Sequence, residues 1–281
     1  MAGWLFAALQ YVLPKYLLTA LIYRVARIRH SGFKNWLITR FVDAYDVDLD
    51  DVDAKVPDDF RSFNDFFIRE LKDGARPIDT DAASVVSPAD GRLSQFGSIT
   101  DGTIVQAKGR DYSVEELLAV DLATAQAFHG GQFATIYLAP FNYHRVHAPV
   151  DGTLVAAHYV PGDLFSVNAA TAQHVPGLFR RNERLNLHFD TGNGRCMVSL
   201  VGALNVGSIS TPWTGEIRPR SKGVVESLPL DRHPVTVNKG DLLGWFNMGS
   251  TVVMLLQDMS FDAGIELDAT VRMGQRLGTR D

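Results

Sequence analysis

An α+β fold, predominantly β, is predicted for this chain by three observations. Residues 1–42 carry apolar runs at helical spacing and contain no Asp or Glu. From about residue 84 the punctuation changes to short Val, Ile, Leu and Thr runs closed by Asp-Gly, Pro-Gly or Asn-Gly pairs, the pattern of a sandwich or barrel. Within that region one turn is used twice, as SPADGRL at 87–93 and APVDGTL at 148–154. The 281 residues, 46% hydrophobic and 21% charged, are ordinary for a globular protein and suffice for one large domain or two small ones.

The amino-terminal stretch WLFAALQYVLPKYLLTALIYRVARIRH is apolar, but Pro14 and Lys15 split it into runs shorter than the roughly 20 residues of a spanning helix. It lacks the basic start and small-residue cleavage site of a secretory signal. Two helices are expected, with Pro14 in the first turn of the second. Trp4, Tyr11, Tyr16 and Tyr23 suit a bilayer interface, and the arginines suit anionic head groups. A hydrophobic hairpin packed on the domain is the compatible, plainer reading. The net charge of −5 hides an asymmetry, because residues 1–42 carry +6 and the remainder −11. The acidic run DAYDVDLDDVDAKVPDD then marks a boundary near 43–60, dividing a membrane-associating segment (1–60) from a β-rich domain (61–281).

In RSFNDFFIRELKDGARPI, Ser62 or Asn64 is placed to cap a helix that carries Phe63, Phe66, Phe67 and Leu71 toward the core. Arg69 and Arg76 read as solvated helix charges, with contact to an anionic ligand as the alternative. In AKGRDYSVEELLAV, Ser113 caps one short inserted helix with Glu115 and Glu116 in its first turn. The paired Pro-x-Asp-Gly turns, with the Lys-Gly-Asp turn of VNKGDLLGWF (237–246), resemble the barrel-sandwich hybrid architecture of biotinyl and lipoyl carriers. The swinging lysine of such carriers is missing.

Chemistry is concentrated in three places. LAPFNYHRVHAPVDG sets His144 and His147 three apart, which in an extended strand gives them opposite faces and different partners. The other histidines, at 30, 129, 158, 174, 188 and 233, form no zinc-ligand set, so no metal is expected. GWFNMGSTVVMLL (244–256) reads as a buried strand interrupted by Gly249, Ser250 and Thr251, either a bulge or a hydroxyl poised to attack its own backbone. Asp90, His147 and Ser250 could together form a carboxylate–base–nucleophile set, whose members need not be adjacent in sequence. No GxSxG elbow is present, and the lone Cys196, in GRCMVSL, reads as a small buried thiol.

NMGSTVV resembles the LGST processing site of the pyruvoyl-dependent phosphatidylserine decarboxylases. FNDFFIRELKDGARPI, SPADGRL, AKGRDYSVEELL, YHRVHAPVDG and KGDLLGWFNMGSTV follow that family in order and approximate spacing. Met248 stands where the family commonly has Leu, a swap of similar volume that is expected to leave cleavage intact.

The resemblance implies a self-cleaving precursor. Ser250 Oγ, deprotonated by His147 with Asp90 fixing the imidazole, would attack the Gly249 carbonyl, which glycine leaves unobstructed, and form an ester. β-Elimination would leave dehydroalanine, which tautomerises and hydrolyses to a pyruvoyl group with loss of ammonia. The products would be a large β chain (1–249) and a small α chain (250–281), held as a heterodimer, with a dimer of these left open. The pyruvoyl ketone would form a Schiff base with phosphatidylserine and act as the electron sink for decarboxylation to phosphatidylethanolamine. His144 would donate the quenching proton or hold the substrate carboxylate. The implied partners are the lipid and an anionic membrane surface, not nucleic acid, and the implied location is peripheral, on the cytoplasmic face of the inner membrane. Two alternatives stay open on the residues alone: a non-catalytic membrane-associated barrel and a zinc peptidase on a related barrel.

Overall fold

Antiparallel strands form most of the regular secondary structure, the longer helices gather at the amino-terminal end, and short helices are inserted farther along the chain. The computed structural model describes residues 2–120, 122–230 and 235–280, so His233 lies outside the described residues.

The two expected amino-terminal helices are present as α1 (Ala2–Val12) and α2 (Lys15–Ala26), meeting at 91°. Pro14 sits one residue earlier than expected, at the N-cap of α2, where its missing N–H costs nothing. A third helix not foreseen from the sequence, α3 (Ser31–Tyr45), follows; its N-cap His30 accepts the Phe33 N–H through Nδ1 at 3.3 Å. Among the described residues no single helix is long and apolar enough to cross a membrane. The hairpin buries Ala7, Gln10 and Thr19 against the body while Trp4, Leu5, Leu9, Val12 and Leu17 stay exposed.

Ser62 caps the short α4 (Phe63–Phe67) by accepting the Asp65 N–H at 3.2 Å, as Ser113 caps Val114–Leu118 through the Glu116 N–H. Phe41 of α3 meets Phe63, Phe66 and Phe67 edge-on at 5.1, 6.2 and 6.0 Å, so one aromatic cluster spans residue 60. Leu71 packs on that cluster from beyond the helix end. The solvated reading of Arg69 and Arg76 is corrected: Arg69 is 4% exposed, and the Arg76 guanidinium bridges Asp90 and Asp51 at 2.6 Å each.

The repeated turn is used as one reciprocal device. Val86 N–H donates to the Pro149 carbonyl at 3.0 Å, and His147 N–H, at the matching position, donates to the Pro88 carbonyl at 2.8 Å. A second repeat completes it, VNKGDLLG at 237–244 and VRMGQRLG at 271–278. Gly240 N–H bonds the Ala148 carbonyl at 2.8 Å and Gly274 N–H bonds the Ser87 carbonyl at 3.0 Å. Both glycines adopt left-handed φ, 90° and 83°, where a β-carbon would be strained. Each turn aspartate then accepts a backbone N–H from the opposite repeat, Asp151 from Lys239 at 2.6 Å and Asp90 from Met273 at 2.8 Å.

The reading of 244–256 as one interrupted strand is also corrected. Leu242–Phe246 belongs to a four-stranded sheet beside Arg145–His147, and Ser250–Leu256 belongs to a nine-stranded sheet. Asn247, Met248 and Gly249 carry the chain across. Ser250–Leu256 is buried throughout and lies between Gln132–Leu138 and Arg195–Val201 in unbroken register, with no bulge.

One buried acid gives the fold a pH dependence. Glu183 is fully buried; its Oε2 accepts the Tyr159 hydroxyl at 2.7 Å and Oε1 has no partner. Burial raises its carboxyl from 4.5 to about 7, so the folded chain keeps a proton that the unfolded chain loses. Stability from this group is full below pH 4.5 and is lost as pH rises through 7, on the order of 3 kcal/mol. The thermal midpoint of the wild type should therefore fall between pH 5 and pH 8 by several degrees more than that of Glu183→Gln; equal falls would remove Glu183 as the cause.

Candidate active site

The crossing segment is fixed from both ends. Upstream, Asn247 donates from Nδ2 to Ser208 Oγ at 2.8 Å and to Ser210 Oγ at 3.1 Å, and accepts Asn64 Nδ2 at 3.0 Å. Downstream, the central strand begins at Ser250, opposite Leu138. Gly249 and Ser250 line a cavity of about 200 Å³ with Phe41 and Tyr45 of α3 and Phe67 of α4.

Ser250 and Thr251 are fully buried and their hydroxyls have no hydrogen-bond partner. A buried, unsatisfied hydroxyl costs about 1–3 kcal/mol. Valine would suit the strand better, so stability does not account for these residues. A β-carbon on Gly249 would meet only ordinary contacts, His144 Nε2 at 3.4 Å and the Leu138 carbonyl at 3.6 Å, and φ there is not left-handed. The folded backbone therefore has room for a β-carbon at 249, so neither packing nor backbone conformation accounts for glycine there.

His144 is the imidazole at this bond. It is fully buried, lies 4.1 Å from the Phe67 ring, and its Nδ1 is 2.8 Å from the Asn142 carbonyl. A carbonyl only accepts, so Nδ1 carries the proton and the unpartnered Nε2 beside Gly249 carries the lone pair. Burial, aided by the Arg69 cation, drives its pKa down to about 3 and keeps the ring neutral.

His147 faces other partners, as the three-residue spacing requires. Its Nδ1 lies 2.8 Å from the Gly240 carbonyl, and its Nε2 takes the Tyr143 hydroxyl at 3.1 Å. The orienting bond expected from Asp90 is thus made by Gly240. Asp90 is buried and receives the Arg76 Nε at 2.9 Å and Nη2 at 2.6 Å together with the Met273 N–H. Its influence on His147 is through space: burial, aided by the Arg145 cation, lowers the imidazole pKa, while the Gly240 bond and the Asp90 and Asp241 charges oppose that fall. The structure brings His144, Gly249 and Ser250 together, and puts Asp90 and His147 in the adjoining pair of turns.

Sequence reasoning missed Tyr143, the Asn142 and Gly240 carbonyls, Asn247 and the clamping role of Arg76. The one signal available was the VRMGQRLG repeat, which supplies Met273 to Asp90. Cys196 is buried with its thiol pushed up to about 12 by burial, and it plays no part in the site.

Comparison with known proteins gives a consistent answer. A family model described as phosphatidylserine decarboxylase matches residues 63–279, and another described as PSD matches residues 5–46. A Shewanella sp. (strain MR-4) protein named phosphatidylserine decarboxylase proenzyme is 47% identical over 274 residues, covering 95% of this chain and 94% of its own. Proteins of the same name from Psychrobacter arcticus and Saccharophagus degradans are 46% and 43% identical over 275 residues, covering 97% of this chain and 97% and 96% of theirs. With both the match and the site geometry extending through the crossing segment, the chain belongs to the phosphatidylserine decarboxylase family.

Proposed function

We propose that this chain is a precursor that cuts itself between Gly249 and Ser250 and then decarboxylates phosphatidylserine to phosphatidylethanolamine. The observation that carries the reading is an unpartnered, buried Ser250 hydroxyl directly after Gly249, whose own α-carbon faces the bare Nε2 of His144. The residues present fit a pyruvoyl group at position 250. When formed, that group supplies an electrophilic ketone able to draw electrons from a departing carboxylate.

In self-cleavage, Ser250 Oγ is the nucleophile and His147 the base. Burial and the Arg145 cation oppose a proton on His147, but the Gly240 bond and the Asp90 and Asp241 charges offset them in part, whereas His144 is fully buried, faces Arg69 and has only the Asn142 carbonyl on the other side. For this the Tyr143 hydroxyl must leave His147 Nε2. A second reading makes His144 the base, favoured by its position against Gly249. In lipid turnover, the neutral His144 ring offers its Nε2 lone pair to the substrate amine as a hydrogen-bond acceptor; the proton-donor role would require a charged ring, which burial and Arg69 oppose. The same neutral ring is poorly suited to hold a carboxylate.

Residues 250–281 remain bound after the cut because their central strand is laddered on both sides and Arg276–Thr279 pairs with Ser84–Val86. The two fragments form a heterodimer around a barrel-sandwich hybrid core, which the reciprocal turns support. Residues 1–60 place the exposed apolar faces of α1 and α2 in the membrane surface, peripherally, on the cytoplasmic side of the inner membrane. Purified wild-type protein should give two masses, for residues 1–249 and 250–281, the smaller with a ketone-bearing, blocked amino terminus. A single full-length mass from material that still releases carbon dioxide from phosphatidylserine would overturn the reading.

A further inference from the structure

Two loops, 166–168 and 203–205, complete the wall of the Gly249–Ser250 cavity, and each is tied to the amino-terminal hairpin by one buried side chain. Gln10 of α1 is 1% exposed; its Oε1 accepts the Ser166 N–H at 2.7 Å and its Nε2 donates to Thr171 Oγ1 at 3.0 Å. Thr171 Oγ1 donates onward to Asn168 Oδ1 at 3.1 Å. Thr19 of α2, also 1% exposed, accepts the Asn205 N–H at 3.2 Å. Asn205 is held at φ 73°, a left-handed conformation that a non-glycine residue keeps only when its surroundings enforce it. Directly beside these ties, the same helices expose Leu9, Tyr11, Val12, Leu17 and Leu21.

A packed hairpin needs no polar side chain on its buried face, and apolar residues there would avoid the cost of desolvation. Of the three buried polar side chains among the described residues of the hairpin, Lys15 pairs with Asp163 and the Gln10 carbonyl, while Gln10 and Thr19 end on the two loops that wall the same cavity. We infer that Gln10 and Thr19 are positioning residues for the lipid headgroup: they lock the cavity wall to the hairpin, so that the surface that meets the bilayer and the pocket that receives the headgroup keep one fixed geometry. The inference rests on the decarboxylase reading above and adds a role for α1 and α2 beyond adsorption. Self-cleavage, which takes place at the crossing segment among residues the hairpin does not bond, does not need these ties.

The test uses full-length Thr19→Val and Gln10→Leu, with Thr19→Ser as the conservative variant, on phosphatidylserine in mixed vesicles. Self-cleavage by intact mass and co-sedimentation with vesicles should match the wild type. KM for the vesicle lipid should rise about tenfold, roughly the loss of one buried hydrogen bond, with kcat nearly unchanged, and Thr19→Ser should restore it. Unchanged KM, loss of vesicle binding in step with KM, or a variant that fails to process would each overturn the inference. Failure of the wild type itself to process would instead overturn the decarboxylase reading.

Discussion

Ser250→Ala should stay a single full-length chain and release carbon dioxide from phosphatidylserine at less than about one thousandth of the wild-type rate. The change deletes one atom, and that atom is the nucleophile of the proposed cut and the source of the ketone. It should not unfold the protein, because the wild-type hydroxyl is buried without a partner and its removal relieves a desolvation cost. The strand keeps its register on both sides through backbone bonds that do not involve this side chain. Intact mass, carbon dioxide release and thermal midpoint together separate the two explanations. A folded, uncut and inactive chain supports the chemistry, whereas a cut chain would place the scissile bond elsewhere.

The two histidines should separate when each is replaced by alanine. His147→Ala is expected to slow appearance of the small fragment by about 10²- to 10⁴-fold, the usual range for loss of a general base. His144→Ala is expected to process but to lose decarboxylation by a similar factor. The electrostatics differ: burial lowers both imidazoles, but at His147 the Gly240 bond and the Asp90 and Asp241 charges work against burial and Arg145, while at His144 burial and Arg69 keep the ring neutral. The pH profile checks the same point. With a pKa of about 3, His144 stays unprotonated throughout pH 5–9, so it should contribute no acid limb to decarboxylation in that range. If His144→Ala instead stops processing while His147→Ala does not, the base is the imidazole that touches Gly249.

Motifs that are contiguous in sequence are legible without the tertiary structure. Ser62 and Ser113 are caps because a short hydroxyl before a helix has a local N–H to bind, and the spacing of Phe63, Phe66 and Phe67 turns them to one side. The opposite facing of His144 and His147 follows from the period of an extended strand. Misreadings came where a partner lies far along the chain. Arg69 and Arg76 looked solvated because nothing nearby in sequence pairs with them, yet Arg76 finds Asp90 and Asp51. The segment 244–256 looked like one strand because hydrophobicity does not record which sheet a residue joins.

Local pattern was enough to single out the Gly249–Ser250 pair, the two imidazoles, the twice-used aspartate turn and the apolar, basic amino terminus, since each depends on residue type and short-range spacing. Folding assigned the partners. It set the bare nitrogen of His144 against Gly249, gave the expected Asp90 bond of His147 to Gly240, and tied Gln10 and Thr19 to the cavity wall. The reason is that a hydrogen bond is specific over about 3 Å of space while carrying no mark along the chain. Pairs such as Gln10 with Ser166, or His147 with Gly240, come within that range only once the sheets have closed.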